Sequence, residues 1–339
     1  MRWTLVARIA GLCAAVSALA GCAVGLGQGP GATAIIAPAV LATIPSGEGP
    51  TLLALSADGA RLYAAANSRL SVVSTADQSV VATIATQPYP AGLALAPDGK
   101  RAFLSALFSI QLMSVDTVMN TVGTPIELFA SVVRGGFGRI ALSPEGKTGY
   151  VVNTPNQVIA VVDLVAGETT TLTMDMQPTD IAVAPDGRRL YVVGCKNFCV
   201  TGTIEVLDAA SQRVTSSISV GARPYRIALS PDGARAYTTN MGNPSVSVVD
   251  LASGSVATTI PVPVQPTGLA VSQDGKRIYV ASQPTGTITV IDGTINVVQA
   301  SVKVANDLRE VVVTPDGRRL YASTMRSVLA LDPQLLSGN

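Results

Sequence analysis

The stretch Arg226-Ile227-Ala228-Leu229-Ser230-Pro231-Asp232-Gly233-Ala234-Arg235-Ala236-Tyr237-Thr238-Thr239-Asn240 decides the fold. Two short runs of apolar, β-branched and aromatic residues flank an Asp-Gly pair, the strongest short-range signal for two antiparallel strands joined by a tight turn. Downstream, Ser247-Val248-Val249-Asp250 and Ser255-Val256-Ala257-Thr258-Thr259-Ile260 supply two more strand-like runs, so the unit has four strands, designated A to D. The same turn recurs at Asp58-Gly59, Asp98-Gly99, Glu145-Gly146, Asp186-Gly187, Asp274-Gly275 and Asp316-Gly317, at intervals of 40 to 47 residues. Such a period marks one supersecondary unit repeated. The expected architecture is all-β: a seven-bladed β-propeller of four-stranded antiparallel blades over residues 40–333.

The ends of the repeat indicate a closed ring. The seventh unit stops after strand C, at Ser327-Val328-Leu329-Ala330-Leu331-Asp332, leaving residues 334–339 as a C-terminal tail. Ahead of the first strand A, Val40-Leu41-Ala42-Thr43-Ile44-Pro45 has the strand D pattern. Strand 40–45 is therefore expected to complete the last blade and remove an exposed sheet edge.

Tyr150-Val151-Val152-Asn153 and Tyr237-Thr238-Thr239-Asn240, each followed by Val-Val-Asp and a Val/Thr-rich strand, resemble the YVTN repeat of YncE-like seven-bladed β-propellers. The resemblance covers roughly residues 40 to 333 and implies the same fold. It says little about function, and Phe103-Leu104-Ser105-Ala106 and Tyr191-Val192-Val193-Gly194 lack the Asn.

Residues 1–21 read as an export signal: Arg2 and Arg8 flank a short apolar run, Ile9 to Ala20, too brief to span a bilayer. Leu19-Ala20-Gly21-Cys22 resembles the lipobox of bacterial lipoproteins, which implies cleavage before Cys22 and lipidation of its thiol, and so an anchor on the bacterial cell envelope, at its periplasmic or cell-surface side. The alternative is cleavage after Ala18-Leu19-Ala20, giving a soluble secreted protein. Residues 22–39 are the acylated Cys and a Gly-, Ala- and Pro-rich tether, with a reach of about 20 to 25 Å if flexible. Cys195 and Cys199 are left as a disulfide-closed loop in an oxidising compartment, a redox pair being the other reading.

Charged residues make up 13% of the chain against a usual share of about 25%, and apolar ones 48%, so most strands must be buried on both faces. The formal net charge is +1 and falls to −1 without Arg2 and Arg8, which argues against nucleic acid as a partner. The chain contains no His. That excludes Ser-His-Asp triads, imidazole metal sites and His general bases, and with no cofactor or metal motif present, none is expected.

Three recurring columns belong to the scaffold. Tyr63, Phe103, Tyr150, Tyr191, Tyr237, Tyr279 and Tyr321 follow each turn acid by five positions and should pack between blades. Asp116, Asp163, Asp208, Asp250, Asp292 and Asp332 end strand C and should accept backbone N–H bonds in the next turn. Arg61, Arg101, Arg189, Arg235, Arg277 and Arg319 should form solvated hairpin tips neutralised by the turn carboxylates, with a grip on anionic lipid heads as the other reading.

Candidate binding residues remain. Alternating strand direction places the A–B and C–D turns on one face (bottom) and the B–C and D–A loops on the other (top). Tyr89, Phe108, Phe129, Phe137, Phe198 and Tyr225 all map to top-face loops, and the longest repeats carry extra residues at Thr124 to Gly138 and Gly194 to Gly202. Six residues before each turn acid, a variable column at the channel mouth reads Leu52, Gly92, Arg139, Asp180, Arg226, Gly268 and Glu310. Arg139, Asp180 and Arg226 can form an ion-pair ladder; Glu310 and Arg309 have no expected partner in the column, and Arg223 and Arg134 lie in adjoining loops. Convergent Arg at a channel mouth suits a carboxylate, phosphate or acidic peptide. The expected function is therefore a non-catalytic module that binds a protein, peptide or envelope polymer through Arg139, Asp180, Arg226, Glu310, Arg309, Arg223, Tyr89, Phe129, Phe137 and Tyr225. The alternative is a lactonase-type hydrolase with Glu310 or Asp180 as general base or cation ligand.

Overall fold

The computed structural model describes residues 39–46, 49–128, 138–196 and 199–336. The leader, Cys22, the tether up to residue 38, Arg134 and the aromatics Phe129, Phe137 and Phe198 lie outside them.

Local chemistry explains each hairpin. In the fifth blade Gly233 N–H donates to Ser230 O (2.9 Å), while Asp232 accepts from the Ala234 amide (3.0 Å) and the Ser230 hydroxyl (2.5 Å). The carboxylate thus replaces water at a turn amide, and the glycine supplies the left-handed residue that follows a type I turn. The same geometry recurs around the ring. At Gly146 φ is 67°, and a Cβ there would lie 2.8 Å from Pro97 Cδ of the preceding blade. Both conformation and contact therefore demand glycine.

The strand C acids act as expected. Asp116, Asp163, Asp250 and Asp292 each accept two backbone N–H bonds in the following turn, and Asp208 and Asp332 each accept one from an equivalent amide. Two members of the basic column, Arg101 and Arg235, depart from expectation. The turn carboxylates are engaged by amides, and Arg318 reaches Asp316 only at 4.0 Å, in solvent. Arg101 and Arg235 instead donate across to carbonyls of the next blade, Leu164 O (2.9 Å) and Gly293 O (2.7 Å).

Seven antiparallel sheets result, each ordered A-B-C-D from the axis outward. The A strands touch one another in succession, from Pro50–Leu55 through to Val311–Val313 and back. Val40–Ile44 pairs antiparallel with Val328–Leu331, Ile44 opposite Val328 and Val40 opposite Leu331, so the outer strand of the last blade comes from the start of the domain. Asp332 N–H donates to Ala39 O (3.0 Å), which places the entry of the chain on the turn face.

The core is divided into seven apolar clusters, each shared by two neighbouring blades and each containing one ring of the aromatic column. Tyr321 packs with Leu53, Leu62 and Val73 of the first blade and closes the circle. Strands B and C are buried on both faces, but strand D is not: Val214–Val220 is mostly exposed.

Three loops differ from their sequence reading. Within Thr124 to Gly138, Ile126–Glu127 pairs with Gln111–Asp116 and prolongs an outer strand that Thr121–Val122 began, because Gly123 and Pro125 interrupt the ladder without ending it. Within Gly194 to Gly202, strands B and C simply continue, as Arg189–Lys196 and Thr201–Asp208. The C-terminal tail includes the single turn Pro333–Leu336, whose Leu336 is buried against Ala39 and Leu308.

Deleting residues 40–46 should lower the thermal midpoint far more than deleting residues 23–38, and equal losses would exclude the closure. A second expectation concerns acid. Asp58, Asp163, Asp208, Asp232, Asp250, Asp274, Asp292 and Asp316 are held below the ordinary 3.8 by hydrogen bonds from hydroxyls and turn amides. Their stabilisation is present above that value and is lost as pH falls through the lowered folded values. The urea midpoint should therefore drop between about pH 5 and about pH 2; a constant midpoint would show that the turns contribute nothing.

Candidate functional site

The site begins with a backbone irregularity that the sequence pattern does not display. At the start of strand A two residues oppose one on strand B, in the register shifts Pro50/Leu52, Pro90/Gly92, Pro178/Asp180, Pro224/Arg226 and Pro266/Gly268. The other two blades repeat it: Val152 is bonded to both Gly138 and Arg139, and Ser323 to both Arg309 and Glu310. A bulge re-aims a side chain locally, and the re-aimed residue is the variable column. Where that residue is Gly92, a Cβ would lie 2.3 Å from Gly138 O, so the blades abut there without room for a side chain.

Four charged members of the column converge. Glu310 Oε2 bonds Arg139 Nη1 (3.0 Å) and also Arg226 Nη2. Arg226 Nη1 lies 3.6 Å from Asp180 Oδ2, and Arg226 Nε donates to Thr267 O (3.1 Å). Asp180 further accepts from the amides of Ile181 (2.9 Å) and Ile227 (3.1 Å). This corrects two expectations: Glu310 is the hub of the cluster, not an unpartnered acid, and Arg139 reaches across the ring to it and not to Asp180. Burial, with the neighbouring Arg139 charge, pushes the Arg226 guanidinium down to about 9, so it is still charged at neutral pH.

The cluster engages the carboxylates with guanidinium groups. Both acids that a lactonase-type reading would use are bonded to guanidinium groups, Glu310 through Oε2 and Asp180 through Oδ2. Among the described residues no three His, Cys, Asp or Glu side chains are grouped to hold a metal ion.

The other candidates are spread over the rim. Tyr89 and Phe108 pack edge-to-face at 5.6 Å on the second blade, where Leu107 N–H donates to Tyr89 O (3.0 Å). They are 55% and 78% exposed, and Leu107 and Ile110 beside them 47% and 42%. Leu107 and Ile110 escaped the sequence reading because single aliphatics carry no motif; their only signal was proximity to Phe108 in a B–C loop. Tyr225 stands on the fifth blade, its ring 6.0 Å from the Arg226 guanidinium. Arg223 is exposed, and like Tyr89 it holds a positive φ ahead of a proline, at 50° and 56°. Such backbone is costly by about 1 to 3 kcal/mol for a non-glycine residue. Cys195 and Cys199 form a disulfide with Cα atoms 4.7 Å apart, next to Lys196, which pairs with the buried Glu205 at 3.1 Å.

Glu310→Gln should destabilise the domain by about 3 to 5 kcal/mol, because two guanidinium groups lose a shared counter-charge and one of them, Arg226, is buried. Urea unfolding measures this. A loss below about 1 kcal/mol would show instead that the cluster is effectively solvated.

No protein-family model and no curated protein matches this chain. Many solved structures share its fold. One is a chain of Kuenenia stuttgartiensis hydrazine synthase, superposed with a TM-score of 0.76 at 20% identity over 90% of this chain and 99% of that one. At that identity the likeness establishes a seven-bladed propeller fold and nothing finer.

Proposed function

We propose that this chain is an exported, lipid-anchored propeller of the YVTN-repeat, YncE-like kind that binds a protein or peptide, or an envelope polymer, through its top face and catalyses no reaction. One observation carries the reading: Tyr89, Leu107, Phe108 and Ile110 form an exposed apolar patch on a top-face rim. Aromatic and aliphatic side chains clustered in water mark interaction surfaces, whereas scattered ones do not. Strand polarity supports it further. The described chain enters at Ala39 on the turn face, opposite the patch, so the patch is clear of the first described residues. The bottom face also carries more acidic than basic side chains, since each blade contributes carboxylates at both of its turns. This argues against the lipid-head reading of the basic column.

Crosslinking in intact cells tests the proposal. Partners captured by the wild type should be lost from a Tyr89→Ala/Phe108→Ala variant of unchanged stability, while Val80→Ala on an outer strand retains them. The same partners from both would place the surface elsewhere. Turnover of small lactones by the wild type would favour the hydrolase instead.

A further inference from the structure

The apolar rim patch is bounded by two opposite charges. A series of backbone bonds orders the loops across it. Tyr89 N–H donates to Asn67 O (2.9 Å) in the B–C turn of the first blade, and Leu107 N–H of the second blade donates to Tyr89 O (3.0 Å). Leu128 N–H, at the end of the second blade's outer strand, donates to Ile110 O (2.7 Å). Exposed Tyr89, Leu107, Phe108 and Ile110 therefore lie between the turn that carries Arg69 and the strand segment that carries Glu127. Within residues 67–69, 86–89, 107–111 and 126–128, Arg69 and Glu127 are the only charged side chains. Both are exposed, and neither joins an ion pair among the described residues. From one end to the other the rim is cation, apolar centre, anion.

We propose, building on the top-face reading above, that this rim is where two copies of the chain meet, related by a twofold axis through the Tyr89–Phe108 pair. Self-complementarity selects that occupant. A twofold axis lays one patch on the other in reverse order, so Arg69 of each copy meets Glu127 of the other at the two ends, and the apolar side chains meet at the centre. A stable interface has that composition, an apolar core within a polar rim. A patch carrying one sign of charge would instead repel its own copy. The edge-to-face rings give each copy an aromatic anchor, the residue type that dominates contact energies.

Sedimentation velocity of the purified full-length protein over a concentration series tests this. The wild type should pass from monomer to dimer and no further, because a twofold contact closes on itself. Phe108→Ala should weaken dimerisation at least about tenfold, as loss of a central aromatic does. Arg69→Glu and Glu127→Arg should each weaken it at least about threefold, and the double variant should recover wild-type affinity. Lys303→Glu, a charge change on the sixth blade, should leave it unchanged. All these side chains are exposed, so each variant should keep the wild-type thermal midpoint. A monomer at every concentration, dimers untouched by Phe108→Ala, or a double charge variant no tighter than the single ones each overturns the assignment. A monomeric protein whose cellular crosslinks to other proteins are still lost in Tyr89→Ala/Phe108→Ala overturns the self-contact and keeps the top-face reading, so the two failures are separate outcomes.

Discussion

The pairing of Val40–Ile44 with Val328–Leu331 turns seven sheets into a ring, and the geometry of the axis depends on it. Without closure the last blade would lack its outer strand, and the Tyr321 ring would lose the packing that locks it against Leu53 and Leu62. Closure also decides the electrostatics. Glu310 belongs to the last blade and Arg139 to the third, and they meet only because the circle is complete. An open stack would carry the same side chains with no convergence.

Two kinds of charged group coexist, separated by how each is neutralised. On the turn face, carboxylates are exposed and hydrogen-bonded to local amides, which lowers their pKa values and defines the hairpins but couples the blades little. At the axis the charges are buried, and each is satisfied by a residue far away in sequence. Removing water there makes every missing partner costly, so the cluster is a structural lock.

The exposed apolar rim and the charged mouth sit on the face opposite the entry of the chain at Ala39. Repetition of the turns confines variation to that rim. Bottom-face hairpins are constrained by glycine geometry and by contact with the preceding blade's proline, as at Gly146 and Pro97, whereas the D–A and B–C loops share no such repeated turn and differ from blade to blade.

Much of the architecture was legible in the residues themselves. The Asp-Gly period, the Tyr column and the strand D character of Val40 to Pro45 are local patterns, and local patterns survive translation into structure because turn chemistry and period-two burial act over a few residues. The bulges were not legible, since an extra strand residue leaves no compositional mark. Nor were the partners of Glu310, the cross-blade bonds of Arg101 and Arg235, or the company of Leu107 and Ile110 around Phe108. The sequence by itself determined the repeat, its strands and its closure. Only the tertiary structure decided which charges meet, because contacts across a ring depend on the summed rotation of every blade between them, a quantity that no short window of residues contains.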